Sequence, residues 1–226
     1  FDCLFEPNEA ENVLSVDMRS LNAVQGRIRS RLYPQAILKQ ANAIVHRTVA
    51  DDLLEVLVLD LPKSVRTVSR SEADRWPLTD DELFMLGRRN LGKDKRLRDL
   101  RVPLPGSVLH MYSGDSFYGA SHLLVFESYL NESMPHGMVV SVPKRDVIIG
   151  HYIRNIGVLE AISGMLQVTT GMYDEGPGSL SPNIYWYRNS SLTLLPYEMK
   201  DGAFGFHPPP EFEELLQALS AHAQLS

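Results

Sequence analysis

Leu53-Leu-Glu-Val-Leu-Val-Leu-Asp-Leu61 is the stretch that decides the fold class predicted for this chain. It is rich in leucine and valine, and a short apolar run of this kind is typical of a buried β-strand. Pro62-Lys-Ser64 follows as a turn, and Val65–Ser69 can return as a second strand. Residues 53–69 are therefore predicted to form a β-hairpin.

A helix is predicted directly after this hairpin. Thr79-Asp-Asp-Glu82 is a capping box, in which the hydroxyl and the carboxylate each accept a hydrogen bond from a free backbone N–H. Leu83 and Leu91 belong to the apolar positions that follow, and Gly92 is suited to the C-terminal end. Residues 53–92 thus form a predicted hairpin-helix unit.

The second half of the chain contains a comparable pattern. Met138–Val142 and Val147–Tyr152 are predicted strands joined by the turn Pro143-Lys-Arg-Asp146, and a helix with apolar residues in phase from Ile156 to Thr169 follows. The two Pro-Lys turns fit an internal duplication, or an accidental recurrence, since few positions agree. The pattern predicts an α+β protein, with antiparallel or mixed sheets covered by helices, built as two hairpin-helix halves.

The charged, proline-flanked segment Lys93–Pro105 is predicted to be a loop and the boundary between the halves. This gives an N-terminal half of residues 1–98 and a C-terminal half of residues 99–226, or one continuous domain.

Other elements follow from the same periodicities. Short strands are predicted at Cys3–Glu6 and Asn12–Val16, a helix from Ser20 to Pro34, and a second helix with Ile37–Val45 on its apolar face. A terminal helix carries Phe212, Leu215, Leu216 and Leu219 at helical spacing, and either packs on the sheet or docks on a partner.

Composition limits the classes of function. The formal charge is -6 and the sequence pI is about 5.6, which argues against a general nucleic-acid binder. The single cysteine, Cys3, cannot form an internal disulfide and fits a reducing, cytoplasmic setting. No apolar run approaches the roughly 20 residues that a membrane helix needs, so no membrane partner is expected.

Tyr112-Ser-Gly-Asp-Ser-Phe-Tyr-Gly-Ala-Ser121 contains the most suggestive local motif, a Gly-Asp-Ser turn centred on Asp115 and Ser116. Some esterases hold their nucleophilic serine in such a turn, but their Asp-x-x-His pair is absent here, so neither a base nor an oxyanion hole can be assigned. We interpret the motif as a turn. In the alternative interpretation, Ser116 is a catalytic nucleophile.

The seven histidines show no metal-ligand spacing. His110 and His122 flank the Gly-Asp turn and could converge with Asp115, and this metal site is kept as an alternative. No catalytic set, metal or other cofactor is predicted.

Two basic segments stand out against the acidic net charge of the chain. The stretch Arg88–Arg98 is interpreted as a solvated helix end and loop, or alternatively as a local basic patch. In the Pro143 turn, Lys144, Arg145 and Asp146 are candidate binding residues. The two basic side chains could contact an acidic partner, and Asp146 is also expected to cap the turn. The strand Tyr185-Trp-Tyr187 is predicted to direct its tyrosines to one face and its tryptophan to the other.

Several segments together resemble the YtpQ-like family of bacterial proteins, a domain family of unknown function. They are Leu54–Asp60, Trp76-Pro-Leu-Thr-Asp-Asp-Glu-Leu83, Arg89-Asn-Leu91, the Gly-Asp turn with Ala120-Ser121, and Val140-Ser-Val-Pro-Lys-Arg-Asp-Val147. The resemblance covers roughly residues 40–200. It implies a bacterial, intracellular protein and supplies no activity, cofactor or catalytic residue. The family usually has glycine at the position of Ser116, which weakens the esterase interpretation further.

The sequence therefore predicts a non-catalytic, cytoplasmic binding protein of the adaptor, chaperone-like or immunity type, with another protein as partner. The alternative is a small hydrolase or metal-dependent enzyme with a site around residues 110–122. The sequence leaves the partner's identity and the oligomeric state open.

Overall fold

A computed structural model describes residues 20–39, 43–104, 106–114, 116–128, 130, 132–200 and 203–223. These residues form an α+β fold of helices and antiparallel sheets, which confirms the predicted class. The strands predicted at Cys3–Glu6 and Asn12–Val16 lie outside the described residues.

The first sheet is built around the apolar segment Leu53–Leu61. Leu53–Leu61 is the central strand β3, and the predicted hairpin with β4 is confirmed. Strand β1 pairs along one edge of β3, while β2 and β4 share the other edge. Among the described residues, the strands of this sheet are β1 (Ile28–Pro34), β2 (His46–Ala50), β3 (Leu53–Leu61) and β4 (Ser64–Thr67).

The helix predicted from Ser20 to Pro34 is wrong. A short helix α1 (Leu21–Val24) and a 3-10 turn precede β1, in which Ile28, Ser30 and Leu32 face one side of the sheet. Ile28 and Leu32 are four residues apart. This spacing puts two side chains on the same face of a helix, but also on the same face of a strand. Pairing with β3 favours the strand over the helix, because β3 needs a partner for its buried backbone N–H and C=O groups.

The second predicted helix, Ile37–Val45, is also wrong. Gln35–Lys39 forms a 3-10 helix, Ile44 makes an isolated bridge to Ser69, and β2 begins at His46. Ile37 and Ile44 are buried and pack with Leu54 and Val56 of β3.

The capped helix is confirmed. Helix α2 (Arg70–Ala73) leads to α3 (Asp80–Leu91), where Thr79 Oγ1 accepts a hydrogen bond from Glu82 N and the Glu82 carboxylate accepts one from Thr79 N. Leu83 and Phe84 of α3 are buried against Leu57 and Leu59 of β3.

The second sheet has the strand order β10-β9-β7-β8-β6-β5, counted over the described residues. The loop predicted at Lys93–Pro105 is wrong over its second part, where β5 forms an edge strand. The hairpin at residues 138–152 is confirmed. The bounds are β5 (Arg98–Leu104), β6 (Ser107–Ser113), β7 (Met138–Ser141), β8 (Val147–Tyr152), β9 (Ile184–Arg188) and β10 (Ser191–Leu194).

Helices cover both faces of this sheet. Helix α4 (Val158–Asp174) packs against the face that carries Val139 and Trp186, and a 3-10 helix, Ala120–Ser128, covers the face that carries Tyr185 and Tyr187. The predicted split of the aromatic strand between two faces is confirmed.

The C-terminal segment closes the layer on the α4 side. A small hairpin of β11 (Tyr197–Lys200) and β12 (Ala203–Phe206) leads to helix α5 (Pro210–Ala223). The ring of Phe212 is fully buried and lies 5.2 Å from that of Trp186, so α5 packs on the sheet, as predicted.

Candidate functional site

A surface cleft of about 410 Å³ lies where the two sheets meet. Residues 94–98, which run from the end of α3 into β5, form one part of the lining. Gly114 and residues 116–118, which follow β6, form another part. Asp60, near the end of β3, completes the lining. The cleft therefore joins parts of the chain that are far apart in sequence.

The basic part of the lining follows from the way α3 ends. Gly92 N and Asp94 N donate to the carbonyl groups of the last helical turn, and the chain then extends towards β5. Lys95, Arg96 and Arg98 are exposed in this extended stretch and line the cleft. The basic patch of the sequence is thus part of a concave surface, and not simply a solvated helix end.

Both acidic side chains of the lining are engaged by neighbours. Asp94 forms an ion pair with Arg29 at 3.3 Å, and Asp60 accepts a hydrogen bond from the Tyr118 hydroxyl at 3.1 Å. Burial, together with the negative charge of Asp60, raises the pKa of Tyr118, which therefore stays a neutral donor. Three basic side chains and two acidic ones line the cleft, so the formal charge of its lining is positive.

An aromatic ring stands at the rim of the cleft. Phe117 is 61% exposed, so most of its apolar ring is accessible to a ligand. The Arg145 guanidinium lies 5.3 Å from the centre of this ring, within the range of a cation–π contact. The rim thus combines an apolar contact surface with another cation.

The Pro143 turn, predicted as a binding segment, packs beside this rim. Ala120 N donates to the Arg145 carbonyl group at 2.9 Å, which fixes the turn against residues 116–120. Arg145 reaches the rim, whereas the Lys144 ammonium pairs with Glu175 at 2.7 Å. Asp146 is exposed, and its backbone carbonyl lies close to Gly119.

The candidate catalytic residues of the sequence make contacts with different groups. Ser116 Oγ accepts a hydrogen bond from Tyr118 N at 3.1 Å, as expected for a serine that stabilises a turn. His122 is 1% exposed within the 3-10 helix, and burial lowers the pKa of its imidazole. Asp115 lies outside the described residues.

His110 has a partner that the sequence reasoning missed. Its Nδ1 lies 3.0 Å from Oδ2 of Asp99, and its ring stacks on Tyr112 and meets Tyr152 edge-on at 5.0 Å. Asp99 was overlooked because its segment was predicted to be a loop. The pair holds the beginning of β5 against β6, adjacent to Arg98 of the cleft.

Over the described ranges, no group of three or more His, Cys, Asp or Glu side chains is arranged to hold a metal ion. None of the helices in this part of the chain has the length and apolar composition that crossing a bilayer requires. Comparisons of the chain with protein-family models, with curated proteins and with solved structures gave no match. The geometry of the cleft is therefore the basis for assigning a function.

Proposed function

We propose that this chain is a non-catalytic binding protein that recognises an acidic segment of another protein through the cleft. The observation that carries the proposal is that Lys95, Arg96 and Arg98 line the same cleft as the exposed ring of Phe117. Guanidinium and ammonium groups bind carboxylates through charge-assisted hydrogen bonds. The exposed ring adds apolar contact area, which favours a peptide that carries both acidic and apolar side chains.

A protein partner has more support than a nucleic acid. The whole chain carries a formal charge of -6, so a long polyanion is repelled by most of the surface while a short acidic segment meets only the cleft. An adaptor, chaperone-like or immunity-type role in the bacterial cytoplasm fits this chemistry. The resemblance to the YtpQ-like family supports the bacterial, intracellular part of the proposal.

The alternative, a hydrolase or metal-dependent enzyme around residues 110–122, has less support. Ser116 is occupied as a hydrogen-bond acceptor in its own turn, and His110 is engaged with Asp99. An activated serine needs a base within hydrogen-bond reach, and these contacts do not supply one.

The test measures the affinity of a fluorescent oligoglutamate peptide that contains one tryptophan. Lys95→Glu is expected to weaken binding roughly tenfold, about 1.4 kcal/mol, because it replaces attraction by repulsion in the cleft. Raising the salt concentration is expected to weaken binding to the wild type as well.

Arg75→Glu is the matched control, since Arg75 is exposed, lies outside the cleft lining and undergoes the same change of charge. Equal affinities of the two variants would contradict the proposal, as would tighter binding of a single-stranded oligonucleotide than of the peptide.

A further inference from the structure

Strand β5 is the terminal strand of the second sheet in the order found over the described residues. It pairs with β6 from Arg98↔Ser113 to Leu104↔Ser107 without a register shift. Its first four residues are all exposed. An edge strand of this length presents backbone N–H and C=O groups that can pair with another strand.

The direction of the edge groups follows from a contact on the far side of β6. The Val108 carbonyl accepts a hydrogen bond from His151 Nδ1 of β8 at 2.9 Å, so it points away from β5. Val108 lies opposite Pro103, and this pair is therefore of the non-hydrogen-bonded kind. Hydrogen-bonded and non-hydrogen-bonded pairs alternate along an antiparallel ladder, so Asp99 and Arg101 form pairs of the same kind as Pro103. Their N–H and C=O groups therefore point to the open edge.

The position of Pro103 agrees with this direction of the backbone groups. Pro103 has no N–H, and on an edge strand the missing donor is tolerated where it would face outwards. The available edge therefore centres on Leu100, between the outward-facing backbones of Asp99 and Arg101.

The segment Arg98-Asp-Leu-Arg-Val102 is complementary to itself. If two copies run antiparallel around Leu100, Asp99 of each copy lies opposite Arg101 of the other. The Arg101 side chain is 67% exposed, with one contact to Glu132 at 3.5 Å, and the Asp99 side chain is 34% exposed. Opposite charges at directly facing positions stabilise a strand pair.

We propose that β5 pairs with β5 of a second copy of this chain, antiparallel and centred on Leu100, so that the two sheets become continuous. Asp99 and Arg101 exchange backbone hydrogen bonds with the same residues of the other copy. Leu100, which is 61% exposed, meets its counterpart at the two-fold axis and loses contact with water. The interface repeats one patch on both subunits, as a two-fold dimer requires.

Charge complementarity favours a second copy over an acidic strand as occupant of this edge. An acidic partner would find Arg98 and Arg101 favourable but would place like charges against Asp99, which lies between them. In the antiparallel pair of copies, Asp99 of each copy faces Arg101 of the other, so both charges have a partner of opposite sign. The proposed interface shares Arg98 with the cleft. It does not depend on the proposed peptide binding, because it is argued from the open edge at Asp99 and Arg101.

Disulfide trapping tests the register. Facing residues of a non-hydrogen-bonded pair have Cα atoms about 4.5 Å apart, within the range of roughly 4.4–6.8 Å that a disulfide spans. In a Cys3→Ser background, Leu100→Cys is expected to give a covalent dimer under mild oxidation. Met85→Cys, at a site 58% exposed on α3, controls for random encounters and is expected to crosslink at least tenfold more slowly.

Charge reversal tests the pairing in solution by sedimentation velocity at physiological ionic strength. The wild type is expected to dimerise with increasing concentration, whereas Arg101→Asp and Asp99→Arg are each expected to be monomeric, because like charges then face each other. Mixing these two variants is expected to restore a dimer, since each acid again lies opposite a base. Leu100→Lys, at an exposed position, is a further monomeric variant that leaves the His110–Asp99 pair intact.

A wild type that stays monomeric at the highest concentration reached would overturn the proposal. So would a dimer that persists in both Arg101→Asp and Leu100→Lys, because the contact would then lie elsewhere. Equal crosslinking rates of the two cysteine variants would contradict the register.

Discussion

Glu55 is a charged residue in the interior of the first sheet, and its neighbours explain how it is accommodated. Its side chain is fully buried, and it accepts hydrogen bonds from Arg88 at 2.7 and 2.9 Å and from Arg47 at 2.7 Å. Burial by itself would raise the pKa of Glu55, but the hydrogen bonds from the two guanidinium groups outweigh it, and the pKa is lowered. The carboxylate thus connects β3 to β2 and to α3.

Removing one partner is expected to be costly because the charge stays buried. Arg88→Ala should lower the free energy of unfolding by about 3–5 kcal/mol, the range found when a buried ion pair is broken on one side. Denaturant unfolding followed by circular dichroism measures the change.

Arg70→Ala is the matched control at the surface. Arg70 donates two hydrogen bonds to Asp80, at 2.7 and 2.9 Å, and lies 4.0 Å from Asp74. Unlike Glu55, these carboxylates are at least half exposed. Its loss should cost about 1 kcal/mol or less. Similar costs for the two variants would show that Glu55 reaches solvent.

The cleft depends on the close packing of two turns. An ideal Cβ on Gly119 would lie 2.3 Å from the Asp146 carbonyl oxygen, so the turn after β6 can approach the β7–β8 turn only with glycine at this position. This contact keeps Arg145 near Phe117 at the rim.

Gly119→Ala is therefore expected to destabilise the protein by about 1–3 kcal/mol through overpacking. It should also weaken binding of the oligoglutamate peptide, since the Arg145 turn is displaced. Thermal unfolding and the peptide titration give the two readouts.

Gly171→Ala is the control, and for this variant we expect a change in stability of the opposite sign. Nothing lies within 4 Å of the position of its Cβ in α4, so alanine should stabilise the helix by about 0.5–1 kcal/mol and leave peptide binding unchanged. A stable Gly119→Ala variant with normal affinity would refute the role given to this contact.

The two sheets share a core and a polar network. Leu32, Ala50 and Leu53 of the first sheet pack in one cluster with Phe126 of the 3-10 helix and Tyr185 of the second sheet. Asp52, in the turn between β2 and β3, accepts hydrogen bonds across the same boundary, at 2.6 Å from the Tyr185 hydroxyl, 2.5 Å from Ser181 Oγ and 3.0 Å from Asn183 Nδ2. The halves are therefore coupled energetically.

We expect the whole chain to unfold in a single cooperative transition. The two tryptophans provide separate reporters, because Trp76 is buried in the core of the first sheet and Trp186 in the core between the second sheet and α4. In Trp186→Phe and in Trp76→Phe, the fluorescence transition should coincide with the one seen by circular dichroism. Midpoints that differ between the probes within either variant would indicate halves that unfold separately.

Local sequence signals determined part of this protein. The hairpins of residues 53–67 and 138–152 and the capped helix Asp80–Leu91 were predictable, because their strand partners or capping groups lie within a few residues along the chain. Hydrogen bonds between near neighbours leave a readable pattern of apolar residues, turn residues and caps.

Tertiary structure alone decided the remainder. Ile28–Pro34 is a strand because β3 lies alongside it, and its apolar spacing was equally compatible with a helix. A candidate residue such as Ser116 could be named from the sequence, but not its grouping with Asp60 and Lys95 in one cleft. Such contacts join residues tens of positions apart, and they form only when the burial of a shared core brings distant segments together.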